Sequence, residues 1–486
     1  MNRRNLLVAA AGGLGSVLAP EVLQAAAGAA RAADWSVAFG DLDGDVTARP
    51  MRVVEGRAPM DLKGTLLRNG GARFRRPGGA AAHWFDGDGL IRRFAVGDGA
   101  AVFDARFVDT PKRRADAAAG AVVSMGFGTP PGPGSQAGSS DDVNAANISI
   151  IRRGDALWAL WEAGSPIALD PKTLATRGLV TLREDLAHAP FLAHPRFERD
   201  GSLWSLGQLG STTAVIWRVD ASGGLMAAHP LTLPRASYIH DFTMTARSLI
   251  LVLQPWIYES AGVPTSALKW RPELGTEILV LDKDDLSKTR TYAVEPFFHF
   301  HMGAAYEDPS GAIRFEICRS KDPTFATTGA VEVLKGVYGA ETSPMLSMVT
   351  LSPGGGARIE ATGVDAEFPR ADQAFSGKAR AFTIHAAVTS ADRPLFQGVG
   401  VYDWKTATSS VFDLGAHYLT EEMVFARRKG SSAELDGYVI GPAVNLKARA
   451  TELLVFDARR IADGPVCVWR TDIAVPAGLH GDFTAT

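Results

Sequence analysis

The chain has little cysteine and no excess of charge of either sign. Its 486 residues include two cysteines, Cys318 and Cys467, which excludes a disulfide framework and a CxxC metal site; a single bridge between the two stays open. The sequence has 50 basic and 53 acidic residues, and the formal net charge of -3 gives no electrostatic reason to expect a nucleic-acid partner. Beyond the N-terminus, no hydrophobic run is long enough to span a bilayer.

Residues 1–32 are typical of an export signal rather than of a folded domain. Arg3 and Arg4 precede a weakly apolar stretch broken by Gly and Pro20, and an Ala-Arg-Ala sequence at residues 30–32 offers a cleavage site. Paired arginines in this position resemble a twin-arginine signal. A Sec signal is the alternative, and the apolar run is too short and too rich in Gly to favour a membrane anchor. We therefore expect a periplasmic or exported protein with a single domain over residues 33–486.

Most of the chain beyond residue 35 consists of short stretches typical of β-strands. They are rich in β-branched and aromatic residues and are bounded by Gly, Asp, Pro and Ser. A strand that closes on a turn-forming side chain recurs at Asp170, Asp220, Asp282, Ser352, Asp403 and Asp457. The spacing of about 50 to 70 residues suits four-stranded units. An all-β propeller of six to eight blades is predicted, with an array of β-sandwiches as the alternative.

Four histidines lie where a hydrophobic run meets a short polar or Gly-containing stretch: His194, His240, His301 and His480. Each follows the preceding turn by 19 to 24 residues, so in a propeller all four occupy nearly the same position of four units and can meet at the axis. Taken singly, each is more often a core or turn histidine. Together they predict an all-imidazole site for a transition metal such as Zn, Cu, Fe or Ni. His299 is the nearest competitor, since it is two residues from His301.

Two glutamates fall close to the same position in units that supply no histidine. These are Glu367 and Glu422, and both lie beside apolar residues, in EFPR and EEMVF. A carboxylate there accepts a hydrogen bond from the Nδ1–H of a ligand imidazole and fixes its orientation. A solvated surface glutamate is the alternative, which the apolar neighbours disfavour.

These segments resemble the carotenoid cleavage oxygenase family. DLKGTLLRNGGARF and HWFDGDGLIRRFAV look like the opening signature of the family, and AHPRF, IHDFTMT, HMGAAYED and VPAGLHGDF are similar to its four metal-binding segments. The resemblance runs from about residue 50 to the C-terminus. It implies a seven-bladed β-propeller with a helical and loop cap over one Fe(II) per chain. The implied iron ligands are His194, His240, His301 and His480, and the implied glutamates behind them are Glu162, Glu367 and Glu422, with Glu421 as a substitute for the last.

The resemblance also implies a chemistry. Family members cleave a conjugated carbon–carbon double bond of a carotenoid, apocarotenoid or stilbenoid with O2 to give two carbonyl products, and a few relatives isomerise and cleave retinyl esters. An electron-rich polyene needs no protein base, so no catalytic residue beyond the iron centre is expected. We expect an Fe(II)-dependent dioxygenase acting on an apolar polyene. The alternatives are a polyene isomerase, a stilbenoid-cleaving dioxygenase and a non-enzymatic binding propeller; peripheral membrane contact for substrate uptake stays open. Tunnel or core aromatics are expected at Trp84, Trp256, Phe298, Phe300 and Tyr306.

Three departures from the family pattern bear on activity. Ala304 stands where the third histidine segment usually has Asn, which removes a side-chain hydrogen bond near the site. Ile148 stands near the open iron position, where members often have Thr, and an apolar group there resembles the isomerase branch. Asp141 and Asp142 precede this segment where stilbene-cleaving members carry a Lys that holds a phenol, which argues against a phenolic stilbene.

Overall fold

The computed structural model describes residues 35–135, 137–339, 343–391 and 393–486, and this part of the chain is mostly β. The expected export signal lies outside the described residues. The first strands, in chain order, are β1 (Val46–Gly56), β2 (Gly64–Arg68), β3 (Arg75–Arg76), β4 (Gly79–Ala80), β5 (Leu90–Gly97), β6 (Ala100–Phe107), β7 (Ser149–Arg153), β8 (Ala156–Leu160), β9 (Ile167–Leu169), β10 (Thr176–Leu179), β11 (Arg196–Phe197), β12 (Leu203–Gln208), β13 (Thr213–Val219), β14 (Leu225–Thr232), β15 (Thr243–Met244) and β16 (Ser248–Leu253). The remaining strands are β17 (Trp256–Tyr258), β18 (Leu268–Trp270), β19 (Thr276–Asp282), β20 (Thr289–Val294), β21 (Phe298–Glu307), β22 (Ile313–Ser320), β23 (Met345–Leu351), β24 (Ala357–Arg370), β25 (Phe382–Ala387), β26 (Gly398–Asp403), β27 (Thr408–Asp413), β28 (Tyr418–Thr420), β29 (Val424–Arg427), β30 (Gly437–Asn445), β31 (Ala450–Asp457), β32 (Cys467–Arg470) and β33 (Gly481–Ala485).

Helices are short and lie between strands. The α-helices are α1 (Pro111–Ala119), α2 (Pro264–Ala267) and α3 (Ala330–Glu332), and α3 continues a π-helical turn at Phe325–Gly329 into a 3-10 turn at Val333–Lys335. Single 3-10 turns occur at Ser36–Phe39, Trp84–Asp86, Ser140–Val143, Glu184–Leu186, Pro272–Leu274, Gln373–Phe375 and Ile461–Asp463. Among the described residues, no helix has the length and apolar composition needed to cross a membrane.

The strands form antiparallel sheets that follow one another along the chain. Three sheets have four strands each: β7 to β10, β11 to β14, and β15, β16, β19 and β20. A seven-stranded sheet contains β21 to β27, and its long strand β24 pairs with β23 in its first part and with β25 in its last part. A ten-stranded sheet joins early and late parts of the chain, because β33 pairs with β2 and β1 pairs with both β6 and β32.

The recurring aspartates close turns between neighbouring strands. Asp170 Oδ1 accepts hydrogen bonds from the backbone N–H groups of Lys172 and Thr173. The contact with the N–H two residues on recurs at Asp220, Asp282, Asp403 and Asp457. At Ser352 the backbone closes the turn instead, as Gly355 N–H donates to the Ser352 carbonyl. The turns join β9 to β10, β13 to β14, β19 to β20, β23 to β24, β26 to β27 and β31 to β32. The repeat inferred from the sequence is therefore a structural repeat.

The core lies between successive sheets. All six residues of β16 are buried, which fits a strand covered on both faces rather than one exposed to water on one side. Side chains from β12, β13 and β16, among them Leu206, Ile216 and Leu251, pack in one cluster. Burying a side chain of this size contributes about 1.5–3 kcal/mol. Cys318 and Cys467 are buried free thiols, so the bridge left open by the sequence is absent.

Candidate metal centre

The four histidines lie at equivalent positions of four sheet edges. His194 and His240 come shortly before β11 and β15, His480 directly precedes β33, and His301 lies within β21. Each of these strands is the terminal strand of its sheet. Histidines at similar distances from the preceding turn in the sequence therefore lie at the same edge of their sheets in the structure.

The four imidazoles converge on one point. One ligand nitrogen from each histidine lies within 4.8 Å of the others. His194 Nε2 is 3.1 Å from His240 Nε2, and His301 Nε2 is 3.1 Å from His480 Nε2. Two nitrogens bound to one transition metal at about 2.1 Å, with a right angle between the bonds, are about 3.0 Å apart. The spacing and the all-nitrogen donor set therefore fit a transition-metal ion; His299 is outside the group.

Three of the imidazoles are held from behind by carboxylates. The Nδ1–O distances are 2.7 Å for His240 with Glu162, 2.6 Å for His301 with Glu367 and 3.2 Å for His480 with Glu422. A hydrogen bond from Nδ1–H to a carboxylate places the proton on Nδ1, so the lone pair is on Nε2, where it faces the other imidazoles. Among the described residues, no carboxylate makes this contact with His194.

Burial keeps the imidazoles in the form that binds metals. Burial and the neighbouring imidazoles hold the pKa of His194 well below its ordinary value. Burial likewise lowers the pKa of His301 to about 3 and that of His480 to about 4. These rings are therefore neutral at pH 7. Burial raises the pKa of the Glu367 carboxyl to about 8, whereas the charges of Arg370 and Arg68 and the hydrogen bond from His480 overcome burial and keep the pKa of Glu422 low.

A charged pair that the sequence analysis did not single out connects three histidine segments. Arg196 Nη2 lies 2.6 and 2.7 Å from the two carboxylate oxygens of Asp241. Asp241 also accepts a hydrogen bond from Met302 N–H, and Arg196 donates to the Met302 carbonyl. The pair thereby fixes the backbone beside His194, His240 and His301. The signal in the sequence was a charged residue one or two positions after each of two histidines, in IHDFT and AHPRF.

A second buried cation secures the His480 segment. Arg68 is fully buried, donates to Glu422 at 2.7 Å, and also donates to the Leu479 carbonyl. Glu421 lies 3.6 Å from Arg68 Nε and makes no contact with His480. The carboxylate behind His480 is thus Glu422, and the substitute Glu421 has a different partner.

An apolar cavity of about 740 Å³ adjoins the histidine cluster. His240, His301 and His480 form part of its wall, and aromatic side chains, among them Trp84, Phe85, Phe127, Phe298 and Phe300, line much of the rest. A cavity of this size and lining suits an elongated apolar ligand.

The other expected residues have separate positions. Ile148 lines the apolar cavity, and its carbonyl accepts a hydrogen bond from His480 N–H at 3.1 Å. Trp256 does not line the cavity but packs behind Tyr238, with ring centroids 5.0 Å apart. The guanidinium carbon of Arg380 lies 5.6 Å from the ring centroid of Tyr306, and Tyr306 does not line the apolar cavity.

Ala304 and the two aspartates before Ile148 lie outside the apolar cavity. The Ala304 carbonyl accepts a hydrogen bond from Arg380, and the residue lines a smaller cavity of about 200 Å³. Asp141 is buried and accepts hydrogen bonds from Ser165, and Asp142 accepts from the N–H of Ser139. Both aspartates therefore serve the loop that borders the cavity.

The comparisons with known proteins agree with this geometry. The chain matches the family model described as RPE65, retinal pigment epithelial membrane protein, over residues 41–485. It is 28% identical over 458 residues to apocarotenoid-15,15'-oxygenase of Synechocystis, covering 89% of this chain and 92% of that protein. It is 26% identical over 487 residues to lignostilbene-alpha,beta-dioxygenase isozyme III of Sphingomonas paucimobilis, covering 90% and 95%.

A solved structure is similar over nearly the whole chain. The crystal structure of cobalt-substituted Synechocystis ACO, an apocarotenoid oxygenase, superposes with a TM-score of 0.84 at 25% sequence identity, covering 94% of this chain and 99% of that chain. The resemblance inferred from the histidine segments is confirmed. The chain belongs to the family of RPE65 and the carotenoid cleavage oxygenases.

Proposed function

We propose that the protein is an Fe(II)-dependent dioxygenase that cleaves a conjugated carbon–carbon double bond of a carotenoid or apocarotenoid into two carbonyl products. The observation that carries the proposal is the convergence of four imidazoles at the wall of an apolar cavity of about 740 Å³. The similarity to an apocarotenoid-15,15'-oxygenase supports this class of substrate.

The proposal includes a seven-bladed β-propeller around the histidine cluster. Three sheets are four-stranded, the seven-stranded sheet divides into two units that share β24, and the ten-stranded sheet divides into two units at β1, which makes seven units. The equivalent turns support this division, because they join the last two strands of six of these units.

The side chains of the site have distinct roles in this reaction. His194, His240, His301 and His480 would hold the iron, which when bound supplies activation of O2 for attack on the double bond. Glu162, Glu367 and Glu422 keep three imidazoles in the required tautomer and orientation. The aromatic wall holds the polyene beside the cluster and excludes water, which protects reactive species from side reactions.

A polyene isomerase is the second proposed function, and Ile148 is the observation that favours it. Its side chain lines the cavity beside His480 and offers no hydrogen-bond donor or acceptor. Isomerisation would consume no O2 and would leave the number of carbon atoms in the substrate unchanged.

Incubation with a panel of carotenoids, apocarotenoids and stilbenoids tests these proposals together. For a dioxygenase we expect loss of polyene absorbance, two carbonyl products, matching O2 consumption, and stoichiometric iron in the purified protein. Conversion without O2 consumption would establish the isomerase instead. Protein that lacks stoichiometric iron after anaerobic purification, and that converts nothing after addition of Fe(II), would exclude both enzymes.

We also propose that residues 1–32 direct export and that residues 33–486 form the mature domain. The paired arginines support this, and replacement of Arg3 and Arg4 by Lys should retain the protein in the cytoplasm on fractionation.

We also propose that the protein takes up substrate from membranes, since Leu209 is 48% exposed and lines the apolar cavity. Leu209→Asp should reduce co-sedimentation with phospholipid vesicles, and unchanged sedimentation would remove this contact.

A further inference from the structure

The histidine cluster adjoins a second cavity that the proposed reaction does not use. This cavity has a volume of about 200 Å³, and His194 and His480 form part of its wall. Of the two cavities, the apolar one has His240, His301 and His480 in its wall, and His480 is the residue common to both. The polar cavity, as we call the smaller one, therefore gives access to His194 from a different side.

The order of residues along the chain places the two cavities on opposite sides of the cluster. Residues that precede His240, His301 and His480 line the apolar cavity, including Tyr238, Phe298 and Leu479, whereas Ala193, before His194, lines the polar cavity. Residues that follow them line the polar cavity, including Thr243 and Ala304. A strand advances about 3.3 Å per residue, so positions before and after a ligand lie on opposite sides of it. The segments that carry His240, His301 and His480 thus lead from one cavity, past the cluster, into the other.

The polar cavity has the chemistry of a route for a hydrated ion. Its wall carries three arginines and three carboxylates, Arg196, Arg199, Arg370, Glu198, Asp372 and Asp482. Several of these pair with an opposite charge; Arg370 lies 3.3 Å from Asp482 and Glu198 lies 2.6 Å from Lys283. The wall therefore carries charged groups without a strong net charge, and its carboxylate oxygens can replace water molecules around a cation.

The apolar cavity is unsuitable as a route for a hydrated ion. A divalent ion that leaves water for an aromatic wall loses its hydration without compensation, at a cost of several kcal/mol even after relaxation. His194 is also the imidazole without a carboxylate behind it among the described residues, and it is partly exposed. One of the two ligands in the wall of the polar cavity is thus the imidazole that, among the described residues, has no carboxylate behind it.

We propose that the polar cavity is the route by which a hydrated divalent metal ion enters and leaves the four-histidine site, with His194 as the first ligand to bind it. The inference rests on the proposed metal centre and concerns only its loading. Ala304 and Ala371 line the route with small side chains, so larger residues there should narrow it.

Metal exchange kinetics test this route without any measurement of catalysis. Metal-free protein, prepared by dialysis against a chelator, is mixed with Co²⁺, and uptake is followed by visible absorbance; release is followed after addition of excess chelator. We expect Ala304→Leu and Ala371→Leu to slow uptake and release together by about tenfold, because a higher barrier affects both directions equally. The dissociation constant should stay unchanged, and Ala304→Gly should accelerate both steps.

The controls separate a blocked route from a damaged site. Ala374→Leu changes an exposed alanine three residues from Ala371 that does not line the cavity, and it should leave both rates unchanged. Ala304→Leu could alter the dissociation constant, because Ala304 is close to His301 in the chain. In that case the rates of Ala371→Leu, which is farther from the ligands in the chain, decide whether the cavity is the route. Wild-type rates in Ala371→Leu would overturn the proposed route. Failure of the wild-type protein to take up Co²⁺ or Fe²⁺ at all would instead overturn the proposed metal centre.

Discussion

The two sides of the histidine cluster are formed by the same chain segments, yet aromatic side chains dominate one side and buried ion pairs the other. Upstream of the ligands, aromatic side chains such as Phe298 and Phe300 pack edge to face, with ring centroids 4.8 Å apart, and leave a large apolar space. Downstream, buried ion pairs such as Arg380–Glu316 fill the space between the segments. The site therefore lies at the boundary between an apolar and an ionic environment.

The difference shows how the two tasks of the site are divided. Apolar walls adapt to a ligand and exclude water, but they do not fix the direction of an imidazole. Buried ion pairs contribute little net stability, because desolvation offsets most of their attraction, but they are directional. The ion pairs of the ionic side thus fix the backbone of the ligand segments, and the apolar side receives the substrate.

The largest effect is expected where the two sides meet. His240→Ala removes one of the four converging nitrogens, and we expect loss of bound iron and of activity together. Metal analysis and turnover measure this. His229→Ala, at an exposed histidine, is the matched control and should retain both. Full iron occupancy in the His240→Ala variant would show that His240 is not a ligand of the iron.

The next largest effect is expected from the ionic side. Arg380 and Glu316 are each 1% exposed, and Arg380 also donates to the Ala304 carbonyl in a ligand-bearing strand. Arg380→Met leaves the buried carboxylate without a cation, with only the Thr383 hydroxyl donating to it, which should cost about 3–5 kcal/mol of unfolding free energy. Urea denaturation measures this. The double variant Arg380→Met/Glu316→Gln should recover part of the loss, and an additive loss would show that the pair is not coupled.

A smaller effect is expected for a carboxylate behind a ligand. Glu422→Gln keeps the shape but weakens the contact with His480, and metal affinity should fall by about 10- to 100-fold. Competition with a chelator measures the affinity. Glu421→Gln is the matched control, because the Glu421 carboxylate lies near Arg68 and does not contact a ligand. Equal losses in both variants would contradict the distinct roles assigned to them.

The smallest effect is expected for a polar group on the apolar side. Ile148→Thr places a hydroxyl in the apolar cavity, and we expect a loss of about 1–2 kcal/mol in unfolding free energy. Ile148→Val removes only a methyl group and should cost about 1 kcal/mol. Thermal unfolding of the two variants separates the effect of the added hydroxyl from that of the lost methyl group. A Thr variant as stable as the Val variant would mean that this wall tolerates polar groups.

Much of the frame is predictable from the sequence because local chemistry encodes it. The turn at Asp220 is visible because its side chain bonds to the backbone only two residues away. The same contact occurs at Asp308, which accepts from Ser310 N–H at a turn that the recurring pattern did not include. Hydrophobic runs such as SLILVL likewise predict strands, since burial on both faces requires them.

The rest depends on contacts between distant segments, which no local pattern reveals. Arg196 meets Asp241 and Met302 only because three sheets bring their inner edges together. The choice between Glu421 and Glu422 was open because a shift of one residue in a strand segment reverses the direction of a side chain. The polar cavity was also not predicted, since it is lined by residues from several sheets, whereas Trp84, Phe298 and Phe300, named as tunnel or core aromatics, line the apolar cavity.

The pairing of β33 with β2 has a consequence for biosynthesis. Strand β33 begins directly after His480 and forms its ladder with residues 64–68, which leave the ribosome long before it. A nascent chain can therefore fold successive sheets as they emerge but cannot assemble the four-histidine set until this last strand has docked. Closure of the sheet and completion of the metal-binding group are one event, so a chain that carries the metal is also a chain in which residues 64–68 and 481–485 have paired.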